Sequence, residues 1–326
     1  MKNNSSVYLF YTFMLTGILV SISSGNWLSC WMGVEINLIS FLPIMMDSSS
    51  VYTSESMIKY FIVQSMGSSL LFLSIIIGDF YYLFFEYFIV FGLMIKVGCS
   101  PFHMWFPSVM EGLSWMNCFV LSTIQKFAPL VLISYLESDI LLLFVVLSCI
   151  WGSVGGLSYS SMRSIISYSS IYNLGWIIAG INSMSCIWFI YFLIYSLTLF
   201  MVCYMFSSYN VNYLNQFFMI YNGFYSWLIM MTLFMSMGGL PPFLGFLPKM
   251  IMVYCLVNEE FYTICMILLM SALMVLFFYL RVIFTGLMIN TLSLKFLMKS
   301  DMFLIYFFGV LTFFGMFLFF VMSLYL

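Results

Sequence analysis

Four ionisable residues lie inside strongly apolar stretches of this chain, and their types are suited to proton transfer. They are Glu35, Lys96, Lys126 and Lys249. Burying one such charge in hydrocarbon costs about 2.5–3.5 kcal/mol on insertion scales, so four cost on the order of 10 kcal/mol. That approaches the whole stability of a typical domain, about 5–15 kcal/mol. Such residues therefore require partners, water or a function, and amines and carboxylates in this setting favour proton movement.

A purely structural interpretation of the same charges also has to be considered. Glu35 and one lysine could form a buried ion pair, and Lys96 could extend its ammonium group to the membrane interface. Glu86 is a further candidate partner, although its position favours the interface. One well-buried carboxylate can pair with only one of the three lysines, and the other two ammonium groups would lack a partner. We therefore favour the functional interpretation.

All seven prolines fall in the segments that carry these charges. They are Pro43, Pro101, Pro107, Pro129, Pro241, Pro242 and Pro248. A proline inside a helix removes one hydrogen bond and frees the carbonyl four residues earlier, which for Pro129 is that of Gln125, beside Lys126. In lipid such backbone persists only when it is buried in protein or lines a wet cavity. We expect a polar, partly hydrated path; kinks that serve packing alone are the alternative.

Two segments share an interrupted pattern. Residues 98–107 (GCSPFHMWFP) and 239–248 (GLPPFLGFLP) both read G-x-x-P-F-x-x-[aromatic]-x-P. Lys96 precedes the first segment and Lys249 follows the second. Gly/Pro-interrupted helices at corresponding positions of two inverted halves indicate an ion path in transporters. His103 lies in the first segment, where a structural hydrogen bond is favoured over a proton role.

The composition places the whole chain in lipid. Of its 326 residues, 64% are hydrophobic and 6% are charged. A soluble domain is about 45–50% apolar and about 25% charged, so this chain could not cover itself with polar surface. The formal net charge of −2 provides no basic patch, which excludes nucleic acid as a partner.

The cysteines and glycines argue against other kinds of site. The cysteines are Cys30, Cys99, Cys118, Cys149, Cys186, Cys203, Cys255 and Cys265, and none forms a C-x-x-C pair. Such spacing does not fit an Fe–S cluster, zinc or a disulfide framework, so we expect small buried apolar residues and no cofactor or metal in this chain. His103 is the single histidine, which rules out bis-histidine haem ligation within the chain. Residues 152–156 (GSVGG) lack the GK[ST] of a phosphate loop and favour helix packing.

The predicted fold is all-α, a polytopic membrane protein of about eleven transmembrane helices. The predicted spans are 4–23, 27–46, 57–77, 81–112 (broken), 116–136, 140–157, 165–181, 186–206, 225–257 (broken), 261–285 and 303–325. Residues 1–326 form a single transmembrane domain, with 81–206 approximately in its first half and 225–285 in a second half with a broken helix. The N-terminal stretch resembles a signal peptide but lacks an Ala-x-Ala cleavage pattern, so it is interpreted as the first span.

The loop charges support this arrangement. With an odd number of spans, one side of the membrane collects Lys2, Lys59, Arg163, Lys295 and Lys299, with Arg281 near it. The other side collects acids alone: Asp79, Glu137, Asp139, Glu259 and Glu260. By the positive-inside rule the N-terminus faces the matrix or cytoplasm and the C-terminus the opposite side.

The residue usage indicates the base composition of the genome that encodes this chain. Alanine occurs only at Ala128, Ala179 and Ala272, whereas phenylalanine occurs 38 times, methionine 30 times and tyrosine 23 times. Alanine needs GC-rich codons, and membrane helices tolerate it well, so ordinary membrane bias does not explain its scarcity. An AT-rich organelle genome explains the scarcity of alanine.

These residues resemble the antiporter-like proton-translocating subunits of respiratory complex I. The resemblance is carried by residues 31–37 (WMGVEIN), 96–105 (KVGCSPFHMW), 125–129 (QKFAP) and 238–249 (GGLPPFLGFLPK), with a shorter similar run at 277–281 (FFYLR). It covers nearly the whole chain. It implies inverted five-helix repeats, each with one broken helix, and animal members resemble a shortened pattern without the first three helices.

The resemblance also implies roles by position. Glu35 would modulate Lys96, the central lysine of the first half-path. Lys126 would be the relay between the halves, and Lys249 the terminal lysine. Where the family usually has histidine this chain has Asn173, which can bind water but cannot titrate. A protonatable relay at that position is therefore in doubt.

Cofactors and partners follow from the same resemblance. NADH, FMN, Fe–S clusters and ubiquinone would belong to other parts of the complex, and this chain would contact other membrane subunits, including neighbouring antiporter-like ones, and lipid. The implied cellular location is the mitochondrial inner membrane. The alternatives are a stand-alone sodium/proton antiporter and a structural membrane subunit; a quinol oxidase is disfavoured because one histidine cannot supply the ligands.

Overall fold

The computed structural model describes residues 4–46, 50–78, 82–136, 138–183, 186–219, 224–290, 309, 310 and 312. Across these residues the secondary structure is helical, apart from one isolated bridge between Ser161 and Tyr213. The prediction of an all-α polytopic membrane protein is confirmed at this level.

The chain divides into two compact units, Met1–Ser148 and Cys149–Leu326. The first contains α1 (Asn4–Ser23), α2 (Trp27–Met45), α3 (Val51–Gly78), α4 (Tyr82–Val97), α5 (Trp105–Glu111), α6 (Trp115–Ser122) and α7 (Ile124–Ile133). The boundary falls within α8 (Ile140–Gly155). The second contains α9 (Met162–Asn182), α10 (Ile187–Tyr209), a 3₁₀ helix (Leu214–Met219), α11 (Phe224–Gly238), α12 (Phe246–Asn258) and α13 (Tyr262–Asn290).

Within the described ranges, seven helices are long and apolar enough to cross a membrane. They are Ser5–Ser23, Trp27–Met45, Val51–Gly78, Trp115–Ile133, Met162–Asn182, Ile187–Tyr209 and Tyr262–Thr285. The predicted span 140–157 corresponds to the shorter apolar helix α8, and 303–325 lies almost wholly outside the described residues. The count of about eleven and the inverted repeat stay predictions.

The outer face of α13 shows which solvent surrounds these helices. Met266, Met270, Leu273 and Phe277 repeat at helical spacing along it and are 59–64% exposed. A continuous apolar face of this kind is stable in contact with lipid hydrocarbon and unstable in water. By contrast, α9 is buried along nearly its whole length.

Both predicted helix breaks are present, and they have the same local geometry. In the first unit, α4 ends before Gly98, whose φ is +76°; in the second, α11 ends before Gly239, whose φ is +79°. The amides of Gly98 and Cys99 both donate to Met94 O, and those of Gly239 and Leu240 both donate to Met235 O. A positive φ followed by paired bonds to one carbonyl is the glycine cap that ends a helix.

A third interruption was not predicted. The predicted span 116–136 is divided at Thr123, whose φ and ψ are −120° and −74°, into α6 and α7. Thr123 Oγ1 donates to Phe119 O at 2.7 Å, and Ser122 Oγ donates to Cys118 O at 2.8 Å. Such hydroxyls compete with the backbone donors of the helix and distort it. Pro129, which sequence analysis placed inside a helix, does lie within α7.

The cysteines largely follow expectation. None of the eight forms a disulfide bond with another described cysteine, and six of them are buried. Cys186 is exposed and Cys255 is half-buried, so the expectation of burial is wrong for these two. Cys186 directly precedes α10, where the end of the helix leaves its side chain outside the packed core.

Close helix packing in the second unit depends on Gly152. A Cβ atom at this position would lie 2.6 Å from the backbone nitrogen of Tyr172, so a side chain would push α8 away from α9. We expect Gly152→Val to destabilise the protein by about 1–3 kcal/mol, the usual cost of overpacking. Thermal denaturation of the purified complex and its yield on native gels measure the effect.

The control for that variant is Gly25→Val, because a Cβ at Gly25 has no atom within 4 Å. It should leave the yield and the melting temperature unchanged. Equal melting temperatures for the two variants would contradict the packing role assigned to Gly152.

Candidate functional site

Lys96 lies in the last turn of α4, directly before the first helix break. Its side chain is only 5% exposed, and within the described part of the chain its Nζ has no hydrogen-bond partner. A Cβ at Gly67 would lie 2.9 Å from Lys96 Cγ, so the glycine leaves room for the lysine stem. Gln64 on the same helix, α3, donates from Nε2 to Lys96 O at 3.0 Å. A buried amine of this kind needs an explanation beyond packing.

Lys126 is positioned by the segment that follows the break. It lies on α7, is 2% exposed, and its Nζ stands 4.1 Å from the centroid of the Phe106 ring. Phe106 is the second residue of α5, the short helix that resumes after the break. A cation over an aromatic face is stabilised by about 2 kcal/mol or more when desolvated. The segment after the break thus supplies an aromatic partner for Lys126.

The two lysines of the first unit line one cavity of about 10 Å³. Tyr60, Gln64 and Gln125 contribute further polar groups to its wall. A volume of about 10–15 Å³ is the minimum that holds one water molecule, so this cavity is at that limit. Lys96 and Lys126 therefore line the wall of the same small cavity.

A hydrogen-bonded chain of neutral side chains borders this cavity, and sequence analysis did not identify it. Tyr60 Oη donates to Gln125 Oε1 at 3.2 Å, and Gln125 Nε2 donates to Asn37 Oδ1 at 3.0 Å. The chain joins α3, α7 and α2. The available signal was the presence of Asn37 and Gln125 beside Glu35 and Lys126 in otherwise apolar helices.

Glu35 is near Lys96 without pairing with it directly. The carboxylate is half-buried on α2, and its charge acts on both Lys96 and Tyr60. An ion pair is present on an exposed part of α3, where Glu55 and Lys59 lie 2.6 Å apart. Glu35, by contrast, forms no ion pair with Lys96, Lys126 or Lys249, so the structural alternative is not observed among the described lysines. Glu35 acts on Lys96 through space.

Lys249 belongs to the second unit and binds the backbone at the second helix break. Its Nζ donates to Gly238 O at 2.8 Å, a carbonyl left without a helical partner where α11 ends. The same Nζ lies 5.5 Å from the centroid of the Tyr172 ring on α9. The lysine itself is in the first turn of α12 and is 8% exposed.

A second cavity adjoins Lys249. Its volume is about 20 Å³, and Asn173, Tyr191, Thr198 and Ser236 are among the polar residues that line it. Asn173 lies on α9, where its Oδ1 accepts a hydrogen bond from Tyr191 Oη at 2.9 Å. Asn173 therefore lines the same cavity as Lys249.

The predicted site residues thus fall into two groups. In the first unit, Lys96 and Lys126 share a cavity and Glu35 lies close by; in the second, Lys249 has its own cavity. His103 is buried directly before α5 and does not line either cavity. Among the described residues there is no group of three or more His, Cys, Asp or Glu side chains that could hold a metal ion.

Comparison with known proteins identifies one family. The model of the NADH:quinone oxidoreductase/Mrp antiporter transmembrane family matches residues 24–82 and 77–276. NADH-ubiquinone oxidoreductase chain 2 of Anopheles gambiae is 41% identical over 305 residues, covering 90% of this chain and 89% of that protein. The protein of the same name from Locusta migratoria is 39% identical over 299 residues, covering 88% and 86%.

Solved structures share the fold. A chain of respiratory complex I from Thermus thermophilus, with bound aureothin, superimposes with a TM-score of 0.84 at 19% identity, covering 95% of this chain and 78% of that one. A chain of the Mrp complex from Dietzia sp. DQ12-45-1b superimposes with a TM-score of 0.77 at 16% identity, covering 90% and 61%.

Proposed function

The chain belongs to the NADH:quinone oxidoreductase/Mrp antiporter transmembrane family, and we propose that it is the proton-translocating membrane subunit of a respiratory NADH:ubiquinone oxidoreductase. The observation that carries the proposal is the shared cavity of Lys96 and Lys126 beside a broken helix. Two buried amines at a water-sized space, with a carboxylate acting on one of them, make little structural sense unless protons move there.

The proposed path runs through the four charged residues. A change in the charge at Glu35 alters the protonation of Lys96 by Coulomb interaction, and Lys96 passes a proton to Lys126 through water in their cavity. Lys249 is the terminal group of the path. Since Lys126 Nζ rests on the Phe106 ring and Lys249 Nζ on Gly238 O, each amine has a defined neighbour in its protonated form.

Family membership supports the following proposal for the surroundings of this chain. NADH, FMN, Fe–S clusters and ubiquinone belong to other subunits, so this chain acts within a translocase without a redox centre of its own. Its partners are other membrane subunits of the complex, including antiporter-like neighbours, and lipid. The membrane is the mitochondrial inner membrane, with the N-terminus on the matrix side and the C-terminus on the intermembrane-space side, as the loop charges favour.

The experiment that tests the function separates it from a stand-alone sodium/proton antiporter. The intact complex in proteoliposomes should acidify or alkalinise the lumen only when NADH and ubiquinone are supplied, and replacing sodium by choline should not change the rate. A pH-sensitive dye measures both. Sodium-driven proton exchange without an electron donor would refute the proposal in favour of the antiporter.

A further inference from the structure

Lys249 has more hydrogen-bond donors than its neighbours among the described residues satisfy. Its ammonium group carries three N–H donors, and among the described residues one acceptor lies beside it, Gly238 O at 2.8 Å. The side chain is 8% exposed and lines the cavity of about 20 Å³. Because unsatisfied charged donors are costly in an apolar interior, the remaining N–H groups need acceptors from that cavity.

Asn173 and Tyr191 form a fixed pair on the wall of the same cavity. Tyr191 Oη donates to Asn173 Oδ1 at 2.9 Å, and both side chains are at least nine-tenths buried. This bond orients the amide: Oδ1 is occupied by the hydroxyl, and the two N–H groups of Nδ2 remain as donors. The Tyr191 ring is held in place by a stacked contact with Trp176, with ring planes 10° apart.

Acceptors are present as well. Thr198 Oγ1 donates to Tyr195 O at 2.9 Å, and Ser236 Oγ donates to Leu233 O at 2.7 Å. Each hydroxyl oxygen keeps lone pairs after its own proton is used, and both residues line the cavity. The walls thus combine donors from Lys249 and Asn173 with acceptors from Thr198 and Ser236.

We propose that this cavity binds one water molecule next to Lys249, and that Tyr191 is a positioning residue that holds this water through Asn173. The volume exceeds the about 10–15 Å³ that one water needs, and the walls offer the two to four polar partners that a buried water makes. The inference rests on the proposed function and extends it. Where the family usually has a histidine, this chain orients a neutral amide, so the water and not residue 173 is the proton partner of Lys249.

The first test is a density map of the intact complex at a resolution that shows ordered water. We expect one peak within hydrogen-bond distance of Lys249 Nζ and of the Asn173 amide nitrogen. A cavity without such a peak, in a map that shows waters of equal burial elsewhere, overturns the proposal without any variant.

The second test uses Tyr191→Phe and Asn173→Leu in the reconstituted complex. Tyr191→Phe keeps the ring on Trp176 and removes only the hydroxyl, whereas Asn173→Leu removes the water ligand itself. Each should slow NADH-driven proton pumping by about threefold or more, the equivalent of losing one hydrogen bond. NADH oxidation by a water-soluble acceptor, which reports the amount of assembled complex, should not change.

Matched controls lie on the neighbouring surfaces. Tyr254→Phe on α12 removes the hydroxyl of a tyrosine that is 52% exposed, and Asn182→Leu alters the last residue of α9. Both should pump at the wild-type rate. Asn173→His, which offers an acceptor nitrogen to Tyr191 and an N–H to the water, should restore most of the rate lost in Asn173→Leu. A rate for Asn173→His as low as that of Asn173→Leu would refute hydrogen bonding as the cause.

Failure of this inference is distinguishable from failure of the proposed function. If Lys249→Met stops pumping while Tyr191→Phe and Asn173→Leu pump normally, the lysine path stands and the positioning role of Tyr191 is wrong. If Lys249→Met and Lys96→Met both pump normally, the proposed function is wrong.

Discussion

Replacing Lys249 with methionine should reduce NADH-driven proton pumping by the intact complex by about 100-fold, the usual contribution of a positioned acid–base side chain. Methionine has nearly the length of lysine, so it fills the same space below Gly238 but neither donates to that carbonyl nor binds a proton. The measurement is the initial rate of dye quenching in proteoliposomes, normalised to NADH oxidation by a soluble acceptor. Lys96→Met should have the same effect, because Lys96 is the buried amine of the first cavity.

The control for these variants is Lys59→Met. Lys59 is 45% exposed and pairs with Glu55 on the surface of α3, where an ion pair contributes about 0–1 kcal/mol. It should pump at the wild-type rate. Full pumping by both Lys96→Met and Lys249→Met would exclude the lysine path. Loss of assembly in both, with normal pumping by the complex that does form, would favour the structural subunit.

Gly239→Ala should lower pumping by about tenfold, for two reasons that act together. A non-glycine residue at a φ of +79° costs about 1–2 kcal/mol. The new Cβ would also lie 2.7 Å from Lys249 Nζ, so it would displace the amine from Gly238 O. The pumping assay described for Lys249→Met measures the loss.

Gly238→Ala is the matched control, one residue earlier on the same chain. Its Cβ would meet Tyr279 Cδ2 at 3.6 Å, an ordinary contact, and the residue lies within α11. It should pump normally. If Gly238→Ala and Gly239→Ala pumped equally, the contact between Gly239 and the lysine would have no functional role.

Several features of this protein follow from its sequence alone. Composition determines that the chain lies in lipid, because too few polar residues exist to cover a water-soluble surface. The four charged residues within apolar helices are apparent from their neighbours, and three of them, the lysines, are buried. Both helix breaks, at Gly98 and Gly239, can also be predicted from the sequence. A glycine followed by prolines ends a helix through local backbone geometry, which needs no distant contact.

Other features were decided by the tertiary structure. The sequence does not show that Lys96 and Lys126 share a cavity, or that Glu35 forms no ion pair with any described lysine. Nor does it show that Lys249 of α12 donates to the last carbonyl of α11. It also does not show the interruption near Lys126, which lies at Thr123. In a membrane, hydrophobicity does not choose which helix faces meet, because lipid is as apolar as the core; close packing and interhelical hydrogen bonds choose them. Those contacts join residues far apart in the chain, and only the folded structure brings them together.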